Sequence, residues 1–169
     1  KQKTGKWPDF SDRNDFDFYV TQSHRHATGL HEWGMSRNNL KTWGSARFDP
    51  EWIETNTNLL KSFEFNLPKS NVFRILILLP HWSYNIKIEE AMTCIRSIIA
   101  DKSSFVVVKG HTRGTGSFKR DDALEIGKKK NVFIDEKIPS PLLIDWCDVL
   151  INIGGSSLAV EAVLKNKLI

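Results

Sequence analysis

Apolar and amphipathic segments alternate along the second half of the chain. Four near-continuous apolar runs, rich in β-branched residues, have the length of strands that are buried on both faces of a sheet. They are Val72–Leu79, Phe105–Val108, Val132–Ile134 and Val149–Ile153. Leu168 and Ile169 have the character of the first residues of a fifth strand.

Between these runs, apolar residues recur with the spacing of helices. The predicted helices are Ile86–Ala100, Asp121–Lys130, Pro141–Trp146 and Leu158–Lys165. Ser140 is predicted to cap the third helix, with Pro141 at its first position. This order predicts an α/β fold, a Rossmann-like parallel sheet with helices on both faces.

In the usual Rossmann-like strand order, the first and fourth strands are neighbours, and ligands bind beyond their carboxyl ends. Here those ends carry residues 80–85, which include His81 and Tyr84, and the small-residue stretch Gly154–Ser157. The sequence therefore predicts a ligand site at this edge of the sheet, with His81 and Tyr84 facing the cleft.

The first part of the chain has a weaker pattern. Asp17–Thr21 is a plausible strand, and a short helical stretch follows it to Trp33. We interpret residues 1–45 as the tail of a preceding domain and 46–70 as the connector into the α/β domain, which begins at residue 71.

Composition narrows the function classes. The chain is 40% hydrophobic and 26% charged, as globular proteins are, and no apolar run approaches the ~18 residues of a membrane span. The net charge of +4 is scattered, and the Lys128–Lys130 run is expected to be a solvated helix end, so a nucleic-acid partner is not favoured. Cys94 and Cys147 are predicted to be buried free thiols in a reducing cytoplasm.

The stretch Gly154–Ser157 could seat a phosphate group. Glycine lets the backbone approach a ligand closely, and Ser156 and Ser157 add hydroxyl donors. A tight strand-to-helix turn with a serine cap explains the same residues equally well. Glu161 follows about one turn into the helix, where a carboxylate could accept both hydroxyls of a ribose; the alternative is a glutamate that faces solvent.

A second group of polar residues follows the predicted strand Phe105–Val108. Lys109, His111 and Arg113 bring two cations and a histidine to its carboxyl end, which suits an anionic ligand. His111 is the candidate catalytic residue, because it can donate to a phosphoryl oxygen. The alternatives are a surface lysine and a loop histidine.

A third group, Ser23, His24 and His26, follows the first-part strand. No carboxylate or cysteine completes a recognisable metal-ligand spacing with these histidines, so no metal site is predicted. Ser23 and His24 are instead candidates for residues that face the ligand cleft, although ordinary loop histidines explain them as well.

Several segments together resemble the GT-B superfamily, near the CDP-glycerol glycerophosphotransferases and the UDP-N-acetylglucosamine 2-epimerases. The resemblance covers residues 15 to 169, and it is carried by WGSARFDPEW, LLPHWSYN, VVVKGHTRG and SPLLIDWCDVLINIGGSSLAVEAVLKNKLI. Thr112 departs from the proline that is usual between the histidine and the basic residue in these proteins.

The resemblance implies a bacterial protein of surface-polysaccharide biosynthesis. Gly154, Gly155, Ser156 and Ser157 would bind the diphosphate of a nucleotide-sugar or CDP-alcohol donor, and Glu161 would bind its ribose. His111 and Arg113 would lie near the pyrophosphate and sugar. No cofactor and no metal is expected.

The resemblance also implies that residues 1–45 are the tail of an N-terminal Rossmann-like domain, 46–70 an interdomain connector, and 71–169 a truncated C-terminal domain that binds a nucleotide donor. The chain would then be a fragment of a longer enzyme, inactive alone and able to self-associate. The full-length protein would be cytoplasmic, at the inner face of the membrane, with a glycan or lipid-linked acceptor. Two alternatives stay open: an enzyme like the UDP-N-acetylglucosamine 2-epimerases, and a non-catalytic module that binds nucleotides or glycans.

Overall fold

The computed structural model describes residues 9–69, 71–79, 86–111, 125–135, 137–154 and 156–169. The chain divides into two compact units, Lys1–Trp52 and Ile53–Ile169. The second unit takes in most of the predicted connector, 46–70. The roles that we assigned to the three predicted regions stay an interpretation.

The first unit contains two parallel strands joined by a helix. Strand β1 is Tyr19–Thr21, helix α1 is His24–Glu32 and strand β2 is Leu40–Thr42. The strands pair in register, with Tyr19 opposite Leu40. The backbone N–H of His26 donates to Ser23 Oγ at 3.2 Å, so Ser23 caps α1. The predicted strand is shorter than expected, and the helical stretch is confirmed.

Short 3-10 helices surround this β-α-β arrangement, at Ser11–Asp15, Arg37–Asn39 and Ala46–Phe48. Helix α2, Pro50–Leu60, then crosses the division between the units. Asp49 Oδ1 accepts hydrogen bonds from the backbone N–H groups of Glu51 at 3.0 Å and Trp52 at 3.1 Å. The Asp-Pro pair is thus a helix start, and a segment that we expected to be a connector contains three turns of helix.

The remaining elements of the second unit alternate as predicted. Their bounds are β3 Phe73–Leu78, α3 Ile88–Ala100, β4 Ser104–Lys109, β5 Val132–Asp135, α4 Ser140–Trp146, β6 Val149–Asn152 and α5 Leu158–Leu164. Residues 125–127 are also helical. The remainder of the predicted helix before residue 125 lies outside the described residues.

The four strands form one parallel sheet in the order β5-β4-β3-β6. Ile75 of β3 is opposite Val149 of β6, so the predicted neighbours are adjacent. Leu168 forms a parallel bridge with Val149, and its carbonyl oxygen accepts a hydrogen bond from the N–H of Leu150 at 2.9 Å. The predicted start of a fifth strand beside β6 is confirmed.

Successive residues of the strands face opposite sides of the sheet, and each side has its own core. On one side Ile75 and Ile77 pack with Met92 and Ile95 of α3. On the other side, Leu76 and Leu78 belong to the cluster that contains Leu143 of α4 and Ala162 of α5. The α/β fold class, with helices on both faces of a parallel sheet, is therefore confirmed.

Some local predictions were wrong. Helix α4 begins at Ser140, Pro139 occupies the N-cap position, and no side chain makes a capping bond there. Cys94 is exposed, while Cys147 is buried and burial raises the pKa of its thiol to about 11. Within the described residues, no helix combines the length and apolar character that a bilayer crossing requires.

Candidate functional site

The carboxyl ends of β3 and β6 lie side by side. Leu78 is opposite Asn152, and the backbone N–H of Ile153 donates to the carbonyl oxygen of Leu78 at 3.1 Å. The chain then turns at Gly154, which is exposed and has φ +86°, a left-handed conformation that favours glycine. The predicted small-residue turn therefore stands at the sheet edge where ligands of this fold class bind.

The side chains around this turn stabilise it. Asn152 Oδ1 accepts the backbone N–H of Ser156 at 3.1 Å, and Ser156 Oγ accepts the backbone N–H of Leu158 at 3.2 Å. Ser157 occupies the N-cap position of α5 but makes no capping bond with its side chain. Ser156 therefore has the capping role that we considered as the alternative to phosphate binding. The hydroxyl of Ser157 makes no capping bond.

Glu161 is buried, with 7% of its surface exposed, so the solvent-facing alternative is wrong. Lys165 Nζ lies 3.6 Å from Glu161 Oε1 and 2.8 Å from Asp145 Oδ1. The same ammonium donates to Thr57 Oγ1 at 2.9 Å. One partly buried lysine therefore links α2, α4 and α5 and places a positive charge beside the glutamate. The sequence analysis missed this lysine, although its i,i+4 spacing from Glu161 was a readable signal.

Lys109 has a different environment from the one that we predicted. The lysine is 5% exposed, and its Nζ donates to Asp135 Oδ2 and to the carbonyl oxygen of Ile138, both at 2.7 Å. Asp135 Oδ1 accepts the backbone N–H groups of Ile138 at 2.9 Å and Lys137 at 3.1 Å. Lys109 is thus not a surface cation. It closes the carboxyl end of β4 against the loop that follows β5.

The pairing partner of Lys109 was also missed. Asp135 is the strand neighbour of Lys109 in the β4–β5 register. In the sequence, the lysine and the aspartate each stand at the end of an apolar run. This pattern predicts an ion pair only when the order of the strands is known. His111 follows Gly110 beyond β4 and is half-buried. Gly155, Arg113, His81 and Tyr84 lie outside the described residues.

The first-part candidates lie in the first unit. Ser23 caps α1, and His24, the first residue of α1, lines a pocket of about 420 Å³ between α1 and β2. His26 is exposed. In the part of the chain that the structure describes, no cluster of three or more His, Cys, Asp or Glu side chains could hold a metal ion.

A larger pocket, of about 590 Å³, opens on the side of β5 that faces away from β4. Phe63, Phe65 and Phe133 contribute apolar lining, and Asp135 contributes a carboxylate that is already bound by Lys109. Among the predicted donor-binding residues that the structure describes, none lines this pocket.

No protein-family model and no curated protein matches this sequence. Solved structures do match its fold. A UDP-GlcNAc 2-epimerase from Methanocaldococcus jannaschii superposes with a TM-score of 0.54 at 16% identity, over 89% of this chain and 45% of that one. Anabaena Alr3699/HepE in complex with UDP-glucose superposes with a TM-score of 0.51 at 14% identity, over 91% of this chain and 44% of that one.

The same Anabaena protein in complex with UDP and glucose gives equal values. At these identities the likeness establishes the fold alone: parallel sheets flanked by helices, as in these Rossmann-like, GT-B-like structures. The chain spans less than half the length of the proteins that it matches.

Proposed function

We propose that this chain is part of a GT-B-type glycosyl- or glycerophosphotransferase that binds a nucleotide-diphosphate donor at residues 154–161. One observation carries the proposal. The glycine turn at the end of β6 lies beside the end of β3, and the buried Glu161 follows one turn later in α5. The likeness to a protein solved with UDP-glucose supports the same type of ligand.

In this proposal each group has a separate task. The backbone around Gly154 lets the diphosphate approach without a clash with a Cβ atom, and Ser157 adds a hydroxyl donor. Glu161 accepts the ribose hydroxyls, and the ammonium of Lys165 lies 3.6 Å from its carboxylate. Because Lys109 is engaged with Asp135, we assign it to holding the β4 loop rather than to touching the donor.

We assign His111 to the phosphate of the leaving nucleotide, which is a nucleoside diphosphate in glycosyl transfer and a nucleoside monophosphate in glycerophosphate transfer. It follows β4 at the carboxyl edge of the sheet, where a ring N–H can donate to a phosphoryl oxygen, and Arg113 would add charge there. Positioning and stabilisation of departing negative charge then supply the catalysis. An acceptor and the group transferred belong to the whole enzyme, whose place we propose to be surface-polysaccharide biosynthesis.

The experiment is a thermal-shift screen of this chain with UDP-, CDP- and GDP-linked ligands. We expect one nucleotide class to raise Tm saturably, and Glu161→Gln to abolish that rise. Glu125→Gln is the matched control, because Glu125 also has a basic partner at 3.6 Å, Arg96, but lies on an exposed surface before β5. No shift with any nucleotide, in a folded protein, would overturn the proposal.

A second candidate is a UDP-GlcNAc 2-epimerase, favoured by the likeness to the enzyme of that name. Incubation of the full-length protein with UDP-GlcNAc separates the two candidates. An epimerase yields the C2 epimer with the UDP linkage intact, whereas a transferase yields free UDP only when an acceptor is present. Nucleotide binding with neither product would indicate a non-catalytic module.

A further inference from the structure

The pocket between α1 and β2 has a lining of one charge sign. Two turns of α1 contribute His24, Thr28 and His31 from one helix face, because these residues are four and three positions apart. Arg37, from the 3-10 helix before β2, and Lys41 of β2 complete the basic lining. Among the residues that the structure describes, no aspartate or glutamate lines this pocket.

This lining is not a consequence of a basic first unit. Residues 9–52 contain seven aspartates and glutamates against five lysines and arginines. Arg37 and Lys41 thus line the pocket although the segment as a whole is acidic, and none of its acidic residues is among the described lining residues. A concave surface that collects one charge sign in an otherwise acidic segment focuses the field on an oppositely charged ligand.

The hydrogen-bond donors that the pocket offers to a ligand belong to its cationic side chains, Arg37 and Lys41, and not to Thr28 or His31. Thr28 Oγ1 already donates to the carbonyl oxygen of His24 at 3.0 Å, so the hydroxyl is committed as a donor. His31 Nδ1 lies 2.9 Å from the carbonyl oxygen of Met35, which can only accept, so the proton of the neutral ring sits on Nδ1. Arg37 is exposed, and its guanidinium offers a planar set of N–H donors.

Trp43 gives the pocket an apolar wall. The residue directly follows β2, lines the pocket and is 70% exposed. Lys41 Nζ lies 5.1 Å from the centre of the Phe18 ring, and the Phe18 and Trp43 rings are 6.4 Å apart. A volume of about 420 Å³ falls in the range of small-molecule sites.

We propose that this pocket binds a phosphate monoester of a sugar-sized alcohol, with the phosphate at Arg37 and Lys41 and the ring against Trp43. A phosphate dianion carries three acceptor oxygens and about two negative charges, which match a cluster of cationic donors better than the single charge of a carboxylate does. This pocket lies in the first unit, and the inference stands independently of the proposed function.

The test is a titration of this chain followed by the NMR signals of the histidine rings, each assigned by substitution. The probes are glucose 6-phosphate, inorganic phosphate and uncharged glucose. We expect saturable shifts of His24 and His31 with glucose 6-phosphate, weaker ones with inorganic phosphate and none with glucose. His26 is the internal control, since it lies on α1 but outside the lining.

Two arginine variants provide the matched comparison. Arg37→Gln should weaken the affinity for glucose 6-phosphate roughly tenfold, the effect of one lost charge-assisted hydrogen bond. Arg47→Gln removes the same charge from another 3-10 helix outside the lining and should leave the affinity unchanged. Equal losses in both variants, or shifts of His26 as large as those of His24 and His31, would overturn the proposal.

Discussion

Two neighbouring strand pairs end at the same edge of the sheet and differ in what stands there. At the end of β4 and β5, Lys109 and Asp135 are 6% and 3% exposed at the side chain and 2.7 Å apart. At the end of β3 and β6, the chain turns through Gly154, and Glu161 lies 3.6 Å from the ammonium of Lys165. We call these the closed end and the open end.

The comparison shows that a lysine–carboxylate pair does not by itself distinguish a structural ion pair from a residue pair at a ligand site. At the closed end, short charge-assisted bonds offset the cost of removing both ions from water, and the pair fixes the loop after β5. At the open end, the ion pair is longer than a direct hydrogen bond, and Gly154 at the turn is exposed. The closed end stabilises its surroundings, whereas the open end is where we propose that a ligand binds.

The strongest way to break the closed end is Lys109→Met. The substitution leaves the carboxylate of Asp135 buried without its cation, so the free energy of unfolding should fall by about 3–5 kcal/mol, measured by urea denaturation. The double variant Lys109→Met/Asp135→Leu should recover much of that loss, because no buried charge remains. A single-variant loss below about 1 kcal/mol would contradict the closed end as we describe it.

At the open end, Gly154→Ala tests the backbone turn. An L side chain in a left-handed conformation costs about 1–2 kcal/mol, which urea denaturation should detect as a lower midpoint. Gly127→Ala is the control, because the nearest atom to its added Cβ would be Ile134 Cδ1 at 3.8 Å, an ordinary contact. Equal losses in the two variants would show that the conformation at Gly154 is not the cause.

The two serines that begin α5 separate capping from ligand binding. Ser156→Ala removes the acceptor for the backbone N–H of Leu158 and should cost about 1 kcal/mol of stability. Ser157→Ala removes no capping bond and should stay within about 0.5 kcal/mol of wild type. Thermal or urea unfolding of both variants under the same conditions measures these losses of stability. A larger loss in Ser157→Ala than in Ser156→Ala would show that Ser157, and not Ser156, caps α5.

The smallest effect is expected at the opposite edge, where β3 and β6 begin. Arg74 Nε and the backbone N–H of Arg74 both donate to Asp148 Oδ2 at 3.0 Å. The side-chain bond from Arg74 holds the pKa of Asp148 below its usual range. Since the folded pKa lies below the unfolded value, the stabilisation is present above about pH 4 and is lost as the pH falls through the folded pKa.

Urea midpoints of wild type and Asp148→Asn, measured from pH 6 to pH 2.5, test this sign. The wild-type midpoint should fall more steeply at the acid end. The difference should remain below about 1 kcal/mol, because both side chains are partly exposed, at 24% and 33%. If the urea midpoints of the two proteins fall in parallel as the pH is lowered, Asp148 does not contribute to the loss of stability in acid.

The sheet was predictable because each strand is a continuous apolar run, and the rules of parallel α/β topology fix the strand order once strands and helices alternate. The adjacency of β3 and β6, and with it the location of the Gly154 turn, followed from that topology. The start of a fifth strand at Leu168 was predictable for the same reason.

Other features depend on tertiary contacts that the local pattern does not contain. The burial of Glu161 requires α4 and α2 to pack beside α5, and the Lys109–Asp135 pair requires the register of β4 and β5. Helical periodicity did not predict the exposure of Cys94. Cys94 is exposed, whereas Ile95, the next residue of the same helix, is buried, so an error of one position in the predicted buried face reverses the result. Helix α2 was readable from Asp49-Pro50, a turn signal that also starts helices.

The central claim, that a nucleotide-diphosphate donor binds at the open end, is tested most directly by an NMR titration of backbone amides with UDP-glucose. We expect saturable chemical-shift changes that are concentrated at Gly154 and at residues 156–161. These changes should be lost in Glu161→Gln but not in Glu125→Gln. Saturable shifts confined to other parts of the chain, with residues 154–161 unchanged, would contradict it.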